Sequence, residues 1–277
     1  MKTFQTSDNL TLAYQDEGTG IPVLCLAGLT RNSTDFDDFA TTLGTGIRLI
    51  RLDYRGRGAS DYDTNYQNYA IPIEARDAIE LLDHLGVPQA VFVGTSRGGL
   101  ISMVLAATAK DRIMGVYLND IGPVLETGGL DVIKTYLGRN PAFKTYEEAA
   151  RQLPVVNTDL FPGVPEARWL ACARRWWTET PDGLKIRYDA KLRDAVLEAS
   201  LQPAPDLWPL FEAMDSLPLA LVRGENSNIL GHATAAEMKS RRPDMIWAEI
   251  PDRGHVPFLD EPPCVDAFSA LMKKVTS

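Results

Sequence analysis

The sequence of 277 residues predicts an α/β fold, in which helices cover both faces of a mainly parallel β-sheet and a helical segment is inserted into the core. Two observations support this prediction. Short apolar runs alternate with helical patterns over residues 1–123 and again over residues 211–277, as is typical of parallel sheets with helical crossovers. Between them, residues 124–210 contain several helical patterns and no clear strand. We therefore expect a core in two parts, 1–123 and 211–277, and a helical cap formed by 124–210.

The first part of the core begins with a predicted β-hairpin over residues 3–17, because two alternating runs flank a polar turn. Four further apolar runs predict strands, at residues 23–26, 47–52, 90–93 and 116–118. Apolar residues at helical spacing, closed by a glycine, predict a helix over residues 71–85, and a second helix is expected over residues 97–109. Because helices cover both faces of a parallel sheet, these strands are expected to be buried on both sides.

Helical patterns within the insertion predict four helices, at residues 128–138, 145–153, 165–178 and 188–198. The insertion is also rich in aromatic residues. The second part of the core predicts strands at 217–222 and 245–250 and helices at 233–240 and 262–275. Ligands of open α/β sheets bind at the carboxyl ends of the strands. A helical insertion in such a core is therefore expected to cover a binding site at that edge.

Composition limits the partners and the location of the protein. The net charge of −9 argues against nucleic acid and anionic membranes as partners, and a hydrophobic content of 45% is enough for a substantial core. The three cysteines, Cys25, Cys172 and Cys264, form no Cys-x-x-Cys pair, so neither a metal site nor a redox site is expected. No signal region and no apolar run of membrane-spanning length occur, which predicts a cytoplasmic protein. The sequence leaves open whether the protein forms a homodimer.

A short motif between a predicted strand and a predicted helix carries the strongest chemical signal. It reads Gly94-Thr95-Ser96-Arg97-Gly98, the Gly-x-Ser-x-Gly pattern of a nucleophile at a sharp turn. Side chains at the two glycine positions are expected to collide with the neighbouring strand and helix, whereas Ser96 lies exposed at the apex. The residues that follow fit neither a phosphate-binding loop nor a dinucleotide fingerprint. For the motif alone, a glycine-rich turn with an incidental serine is the remaining alternative.

A serine nucleophile requires a base within hydrogen-bonding distance, and histidine is the usual one. The chain has three histidines, His84, His232 and His255. His84 falls in the last turn of a predicted helix and is expected on the surface, and His232 lies just before another helix. His255 follows the last predicted strand, so its loop leaves the edge of the sheet at which Ser96 lies. We therefore interpret His255 as the base, with a purely structural histidine as the alternative.

The oxygen that becomes negative during attack on a carbonyl requires two N–H donors. The backbone N–H of Arg97, at the start of the helix that follows Ser96, is the first candidate. The backbone N–H of Leu29, in the loop after the strand at 23–26, is the second. The side chain of Arg97 is expected to pair with a surface carboxylate. Alternatively, its positive charge gives the site a preference for acidic substrates.

Together these residues resemble the α/β-hydrolase superfamily, and in particular its capped, esterase-like branch. The resemblance covers nearly the whole core, in the order nucleophile, acid, histidine. Six segments carry it: 27–30, 53–60, 94–99, 119–123, 223–228 and 254–255. It implies an eight-stranded sheet, a cap over the pocket and an acyl-enzyme mechanism without a cofactor.

The acid that orients the histidine departs from the family pattern. Relatives with this stretch carry aspartate where this chain has Asn228, and a neutral amide cannot stabilise an imidazolium. Three explanations are open. Asn228 is an introduced substitution; or another carboxylate serves, with Asp120 as the better candidate and Glu225 as the weaker one; or the protein has a naturally weakened triad with slow hydrolytic, non-hydrolytic or receptor-like activity.

The sequence therefore predicts a serine hydrolase that cleaves a small or medium carboxylic ester or lactone through an acyl-enzyme, with no cofactor and no metal. Two groups of alternatives remain. A carbon–carbon bond hydrolase or a cofactor-free haloperoxidase uses the same kind of serine. A catalytically weak or inactive small-molecule binding protein of the same fold belongs to a different class, and Asn228 at the acid position is the feature that motivates it.

Overall fold

The computed structural model describes residues 1–277 and has an eight-stranded sheet as its core. The chain forms ten strands: β1 (Lys2–Gln5), β2 (Thr11–Gly18), β3 (Ile21–Leu26), β4 (Ile47–Leu52), β5 (Ala90–Thr95), β6 (Ile113–Asn119), β7 (Trp177–Thr180), β8 (Gly183–Ile186), β9 (Leu219–Gly224) and β10 (Ile246–Ile250). The strand order in the large sheet is β1-β2-β4-β3-β5-β6-β9-β10. The pairs β1–β2 and β2–β4 are antiparallel, and all the others are parallel. The predicted α/β fold with a mainly parallel sheet is confirmed.

Ten helices accompany the strands: α1 (Asp37–Thr42), α2 (Ile71–His84), α3 (Arg97–Thr108), α4 (Thr127–Tyr136), α5 (Tyr146–Val156), α6 (Glu166–Trp176), α7 (Leu192–Ala199), α8 (Trp208–Glu212), α9 (His232–Arg241) and α10 (Pro262–Thr276). The helices predicted in the core, α2, α3, α9 and α10, occur with ends shifted by at most one residue. Helices α1 and α8 were not predicted, because segments of six and five residues are too short to show a helical period.

The hydrophobic core surrounds the middle of the sheet. Strand β5 pairs with β3 on one side and β6 on the other, and all six of its residues are buried. A single cluster of 50 buried hydrophobic residues spans the sheet and the helices packed on it. Because β5 is fixed on both edges and both faces, the residue that follows it has a well-defined position.

The segment between β6 and β9 contains α4 to α8 and also a short hairpin formed by β7 and β8. The expectation that this segment holds no strand is wrong. The helix expected over 165–178 ends at Trp176, and Trp177 pairs with Ile186 across the hairpin. The sequence Pro181-Asp182-Gly183 at the turn is a turn signal, but strands of four residues are too short for alternation to stand out. Nine buried residues form a second hydrophobic cluster within this insertion.

Cys25, Cys172 and Cys264 are all buried and form no disulfide. Burial raises the pKa of Cys172 to about 12, so its thiol stays protonated at neutral pH. None of the helices combines the length and the hydrophobicity that crossing a lipid bilayer requires.

Candidate active site

Four segments that are distant in the sequence meet at the carboxyl edge of the sheet. Ser96 follows β5, Asp120 follows β6 and His255 lies in the loop after β10. Leu29 lies in the loop after β3, the strand that neighbours β5. Since parallel strands all end at the same edge, the sheet itself brings these residues together.

The turn at Ser96 is strained in the way that the motif predicts. Ser96 has a φ of 49°, which a residue with a side chain rarely adopts. A Cβ at Gly94 would lie 2.6 Å from the carbonyl carbon of Gly98, and a Cβ at Gly98 would lie 2.0 Å from the carbonyl oxygen of Leu26. Only glycine fits at both positions, because β5, α3 and β3 approach one another so closely. The turn leaves Ser96 partly exposed instead of sealed in the core.

The side chains of Ser96, His255 and Asp120 form a continuous hydrogen-bonded chain. The Oγ of Ser96 lies 2.8 Å from Nε2 of His255, and Nδ1 of His255 lies 2.7 Å from Oδ2 of Asp120. Asp120 is fully buried. The arrangement has the geometry in which an imidazole accepts the serine proton while a carboxylate fixes its tautomer and supports its positive charge.

The carboxylate of Asp120 receives two further hydrogen bonds, both from the loop after β9. The backbone N–H of Gly224 donates to Oδ1 at 2.9 Å, and the hydroxyl of Ser227 donates to Oδ2 at 2.6 Å. Ser227 had no predicted role, because nothing in the local pattern shows which strand end its hydroxyl faces. These donors hold the carboxylate in one orientation.

Asn228 does not take the acid position that the family resemblance implied. Its side chain makes no hydrogen bond to His255, and it contributes instead to the wall of the cavity described below. The loop after β9 turns Ser227 towards the acid, and the backbone carbonyl of Asn228 packs against Gly129 at the start of α4. Glu225 is exposed and accepts a hydrogen bond from the backbone of Asp252. Of the candidate residues, Asp120 alone contacts the imidazole, because β6 ends next to it.

The two predicted oxyanion donors belong to segments that adjoin Ser96. Arg97 is the first residue of α3, where backbone N–H groups have no acceptor within the helix. The backbone N–H of Leu29 makes no hydrogen bond within the protein. A Cβ built on Gly28, the residue before Leu29, would lie 3.9 Å from Cβ of Ser96, so this loop runs beside Ser96.

A buried ion cluster supports both donor segments from behind. Glu74 of α2 is fully buried, and its carboxylate accepts a hydrogen bond from Nε of Arg97 at 2.5 Å and lies 2.8 Å from Nη1 of Arg57. Arg57 in turn donates from Nε to the carbonyl oxygen of Leu29 at 3.1 Å. Burial alone would raise the pKa of the Glu74 carboxyl, but the two guanidinium groups outweigh it and hold that pKa below its usual value. The side chain of Arg97 therefore pairs with a buried carboxylate, not with the surface carboxylate that was expected.

The other two histidines lie away from this constellation. His84 is exposed at the end of α2, where its ring packs 5.7 Å from Phe4 and 6.0 Å from Tyr14 between ring centroids. His232 is the first residue of α9. No group of three or more His, Cys, Asp or Glu side chains is arranged to hold a metal ion.

A cavity of about 580 Å³ opens beside the hydrogen-bonded chain. Its wall includes His255, Thr95, Ala27 and Asn119 from the core. The insertion supplies most of the remainder, and 21 of the 37 lining residues are hydrophobic. The aromatic part of the wall consists of Tyr136, Phe143, Phe161, Trp169, Trp176, Trp177, Tyr188, Phe258 and Phe36. The size and lining suit a small, largely apolar molecule held beside His255.

The chain belongs to the alpha/beta hydrolase family, whose model matches residues 23–265. A 3-hydroxybutyrate-oligomer hydrolase from Cupriavidus necator is 35% identical over 247 residues, which cover 87% of this chain and 84% of that protein. A 2-(acetamidomethylene)succinate hydrolase from Mesorhizobium japonicum is 26% identical over 89% of this chain and 85% of its own length. These relatives are hydrolases, and they place this chain among hydrolases.

Solved structures agree with this assignment. An alpha/beta hydrolase from Novosphingobium aromaticivorans is 38% identical and superimposes with a TM-score of 0.91, covering 99% of this chain and 97% of that one. The crystal structure of E-2-(acetamidomethylene)succinate hydrolase has a TM-score of 0.83 at 23% identity, covering 98% of both chains, and shows the shared fold.

Proposed function

We propose that this protein is a serine hydrolase that cleaves a small or medium carboxylic ester or lactone through an acyl-enzyme. One observation carries the proposal: the hydrogen-bonded chain from Ser96 through His255 to Asp120, with distances of 2.8 and 2.7 Å, at the wall of a mostly apolar cavity. Nucleophile, base and orienting acid are thus all within the reach that acyl transfer requires.

In the proposed mechanism, Oγ of Ser96 attacks the ester carbonyl and transfers its proton to Nε2 of His255. The negative oxygen of the tetrahedral intermediate accepts hydrogen bonds from the backbone N–H groups of Leu29 and Arg97. The intermediate collapses, the carbon–oxygen bond of the ester breaks, and the imidazolium protonates the leaving alcohol. A water molecule then attacks the acyl-enzyme, gives its proton to His255, and the second collapse returns that proton to Ser96. The carboxylate of Asp120, 2.7 Å from Nδ1 of His255, orients the imidazole and stabilises the imidazolium.

The relative from Cupriavidus necator supports an ester as the substrate. Its name states that it hydrolyses 3-hydroxybutyrate oligomers, and oligomers of a hydroxy acid are joined by ester bonds. The cavity next to Ser96 is large enough for a molecule of a few such units and is mostly apolar. The alternative of a catalytically inactive binding protein rested on Asn228, and the contact between Asp120 and His255 removes that reason for it.

A fluorophosphonate probe tests the proposal, because it reacts covalently with an activated serine and requires no knowledge of the substrate. We expect stoichiometric labelling of the wild-type protein, loss of labelling in Ser96→Ala, and hydrolysis of p-nitrophenyl butyrate by the wild type but not by that variant. Ser102 in α3 is buried and donates to the carbonyl of Gly98, so Ser102→Ala serves as a matched control that keeps labelling. Absence of labelling in the wild type would contradict the proposal.

A further inference from the structure

The cavity next to Ser96 contains two positively charged side chains whose hydrogen-bonding capacity is unused. Most arginines of this chain donate to carboxylates or to backbone carbonyls, for example Arg175 to Asp38. Arg31 and Arg139 both line the cavity, and neither side chain donates a hydrogen bond within the protein. A guanidinium group that has no protein acceptor and lies at the wall of a mostly apolar cavity can bind an anion, because its planar fork of N–H donors matches a carboxylate.

Arg31 is held in place by two groups that leave its terminal nitrogens free. Its guanidinium carbon lies 3.6 Å from the centroid of the Trp176 ring. Its Nε lies 3.8 Å from Oδ2 of Asp35, too far for a hydrogen bond, while Oδ1 of Asp35 accepts a hydrogen bond from the Trp176 indole at 3.2 Å. The stack on the ring fixes the plane of the guanidinium, and a fixed plane loses less entropy when a carboxylate binds to its two terminal nitrogens.

The side chain of Arg31 leaves the backbone close to Ser96. Arg31 follows Leu29 by two residues in the loop after β3. A Cβ built on Gly28 would lie 3.4 Å from Cγ of Arg31 and 3.9 Å from Cβ of Ser96, so the Arg31 side chain starts within a few ångströms of the nucleophile. Arg139, an exposed residue on the same cavity, adds a second positive charge.

We propose that Arg31 forms a carboxylate-binding subsite, so that the substrates are linear esters of short hydroxy acids that carry a free carboxylate on the alcohol side of the cleaved bond. This inference rests on the proposed function and specifies its substrate class. In a dimer of a 3-hydroxy acid, only a few covalent bonds separate that carboxylate from the ester carbonyl, which matches the proximity of Arg31 to Ser96. The guanidinium then pairs with the carboxylate while Leu29 and Arg97 receive the carbonyl oxygen.

The test compares two dimers of 3-hydroxybutyrate, one with its free carboxylate and one with that group converted to the primary amide. Both contain the same single ester bond and have nearly the same shape, so the ratio of their kcat/KM values reports recognition of the charge. We expect the wild type to prefer the acid and Arg31→Gln to lower the acid-to-amide ratio about tenfold or more, mainly through KM. Arg31→Lys keeps the charge but not the planar fork and is expected to lie between the two.

Arg151→Gln is the matched control. Arg151 is an exposed arginine of the insertion that does not line the cavity, so its removal should keep the wild-type ratio. An acid-to-amide ratio near one in the wild type, or an unchanged ratio in Arg31→Gln, overturns the subsite while leaving the serine hydrolase intact. If the wild type cleaves neither of the two dimers nor p-nitrophenyl butyrate, the proposed function itself is overturned, and the subsite with it.

Discussion

At the scale of single residues, the carboxylate of Asp120 is the group whose replacement we expect to lower activity most after loss of Ser96 itself. Three donors converge on its carboxylate: the backbone N–H of Gly224, the hydroxyl of Ser227 and Nδ1–H of His255. A carboxylate can accept from all three, whereas an amide presents its own NH2 group to at least one of them. Its φ of 55° is a conformation that aspartate tolerates better than most residues. An aspartate at this position can therefore accept from all three donors, whereas an asparagine cannot.

We predict that Asp120→Asn lowers kcat for p-nitrophenyl butyrate by about 10⁴-fold, the loss that the equivalent change causes in a serine protease. That factor corresponds to about 5 kcal/mol of transition-state stabilisation. The physical reason is that the amide neither stabilises the imidazolium nor selects the tautomer that accepts the proton of Ser96. Steady-state kinetics together with circular dichroism, to verify folding, measure the effect.

Asn228→Asp is the control for that prediction. It introduces a carboxylate where the family resemblance implied the acid, but in the structure this residue makes no hydrogen bond to His255. We expect no gain in kcat from this variant. A gain of orders of magnitude, with little loss in Asp120→Asn, would assign the acid to position 228.

At the scale of secondary-structure elements, the approach of α3 to the sheet determines where Ser96 lies. Gly98 in the first turn of α3 packs against β3 so closely that a Cβ would lie 2.0 Å from the carbonyl oxygen of Leu26. A backbone oxygen cannot move aside as a flexible side chain could, so a larger residue must displace the helix or the strand. The same contact holds the first turn of α3, with the Arg97 N–H, near Ser96.

We predict that Gly98→Ala lowers the free energy of unfolding by about 3 kcal/mol and reduces labelling of Ser96 by the fluorophosphonate probe. Gly128→Ala is a matched control, because Gly128 is an exposed helical residue of α4 at which an added Cβ would meet no atom within 4 Å. That change should be neutral or slightly stabilising, since alanine favours a helix over glycine. Urea denaturation of both variants measures these changes. If Gly98→Ala leaves the free energy of unfolding unchanged, the steric explanation is wrong.

At the scale of the whole molecule, ionic contacts join the insertion to the core. Arg175 of α6 donates two hydrogen bonds to the carboxylate of Asp38 in α1, at 2.6 and 2.7 Å. Arg168, two turns earlier on α6, contacts both Asp38 and Asp260 after β10. Since helix α6 also contributes Trp169 and Trp176 to the cavity wall, these contacts hold part of that wall against the core.

We predict that Asp38→Asn lowers the free energy of unfolding by about 1 kcal/mol at neutral pH, a modest value because these groups are partly exposed to solvent. Hydrogen bonds from Arg175 hold the pKa of the Asp38 carboxyl below its usual value, although burial opposes this. A depressed pKa means that the contribution is present above the pKa of the unfolded chain and is lost as the pH falls through the folded-state value. The difference between wild type and variant should therefore persist from pH 8 to about 5 and shrink below about pH 4.

Denaturant unfolding across this pH range measures the difference. Glu147→Gln is a suitable control, because Glu147 lies 3.6 Å from Arg174 in an exposed pair within the insertion. It should change stability little at any pH. A pH-independent difference for Asp38→Asn would contradict the ionic explanation.

Local sequence patterns were sufficient for the strands of the core, for its longer helices and for the placement of Ser96 and His255. The apolar runs that became β5 and β6 could be read directly, because buried strands of a parallel sheet are apolar throughout. Ser96 was marked by its flanking glycines and His255 by its place after the last strand. The hairpin β7–β8 was missed, because it is short and follows a helix without a break in composition.

The sequence by itself determined the α/β architecture, the strained serine turn and the choice of histidine, since each depends on residues that are neighbours in the chain. Only the tertiary structure decided which acid faces the imidazole, that Ser227 supports it, and that Arg31 lacks a hydrogen-bonded partner. Asp120 and His255 are 135 residues apart in the chain and 2.7 Å apart in space. Contacts of this kind depend on how strand ends are ordered across the sheet, and that order arises from packing of the whole chain.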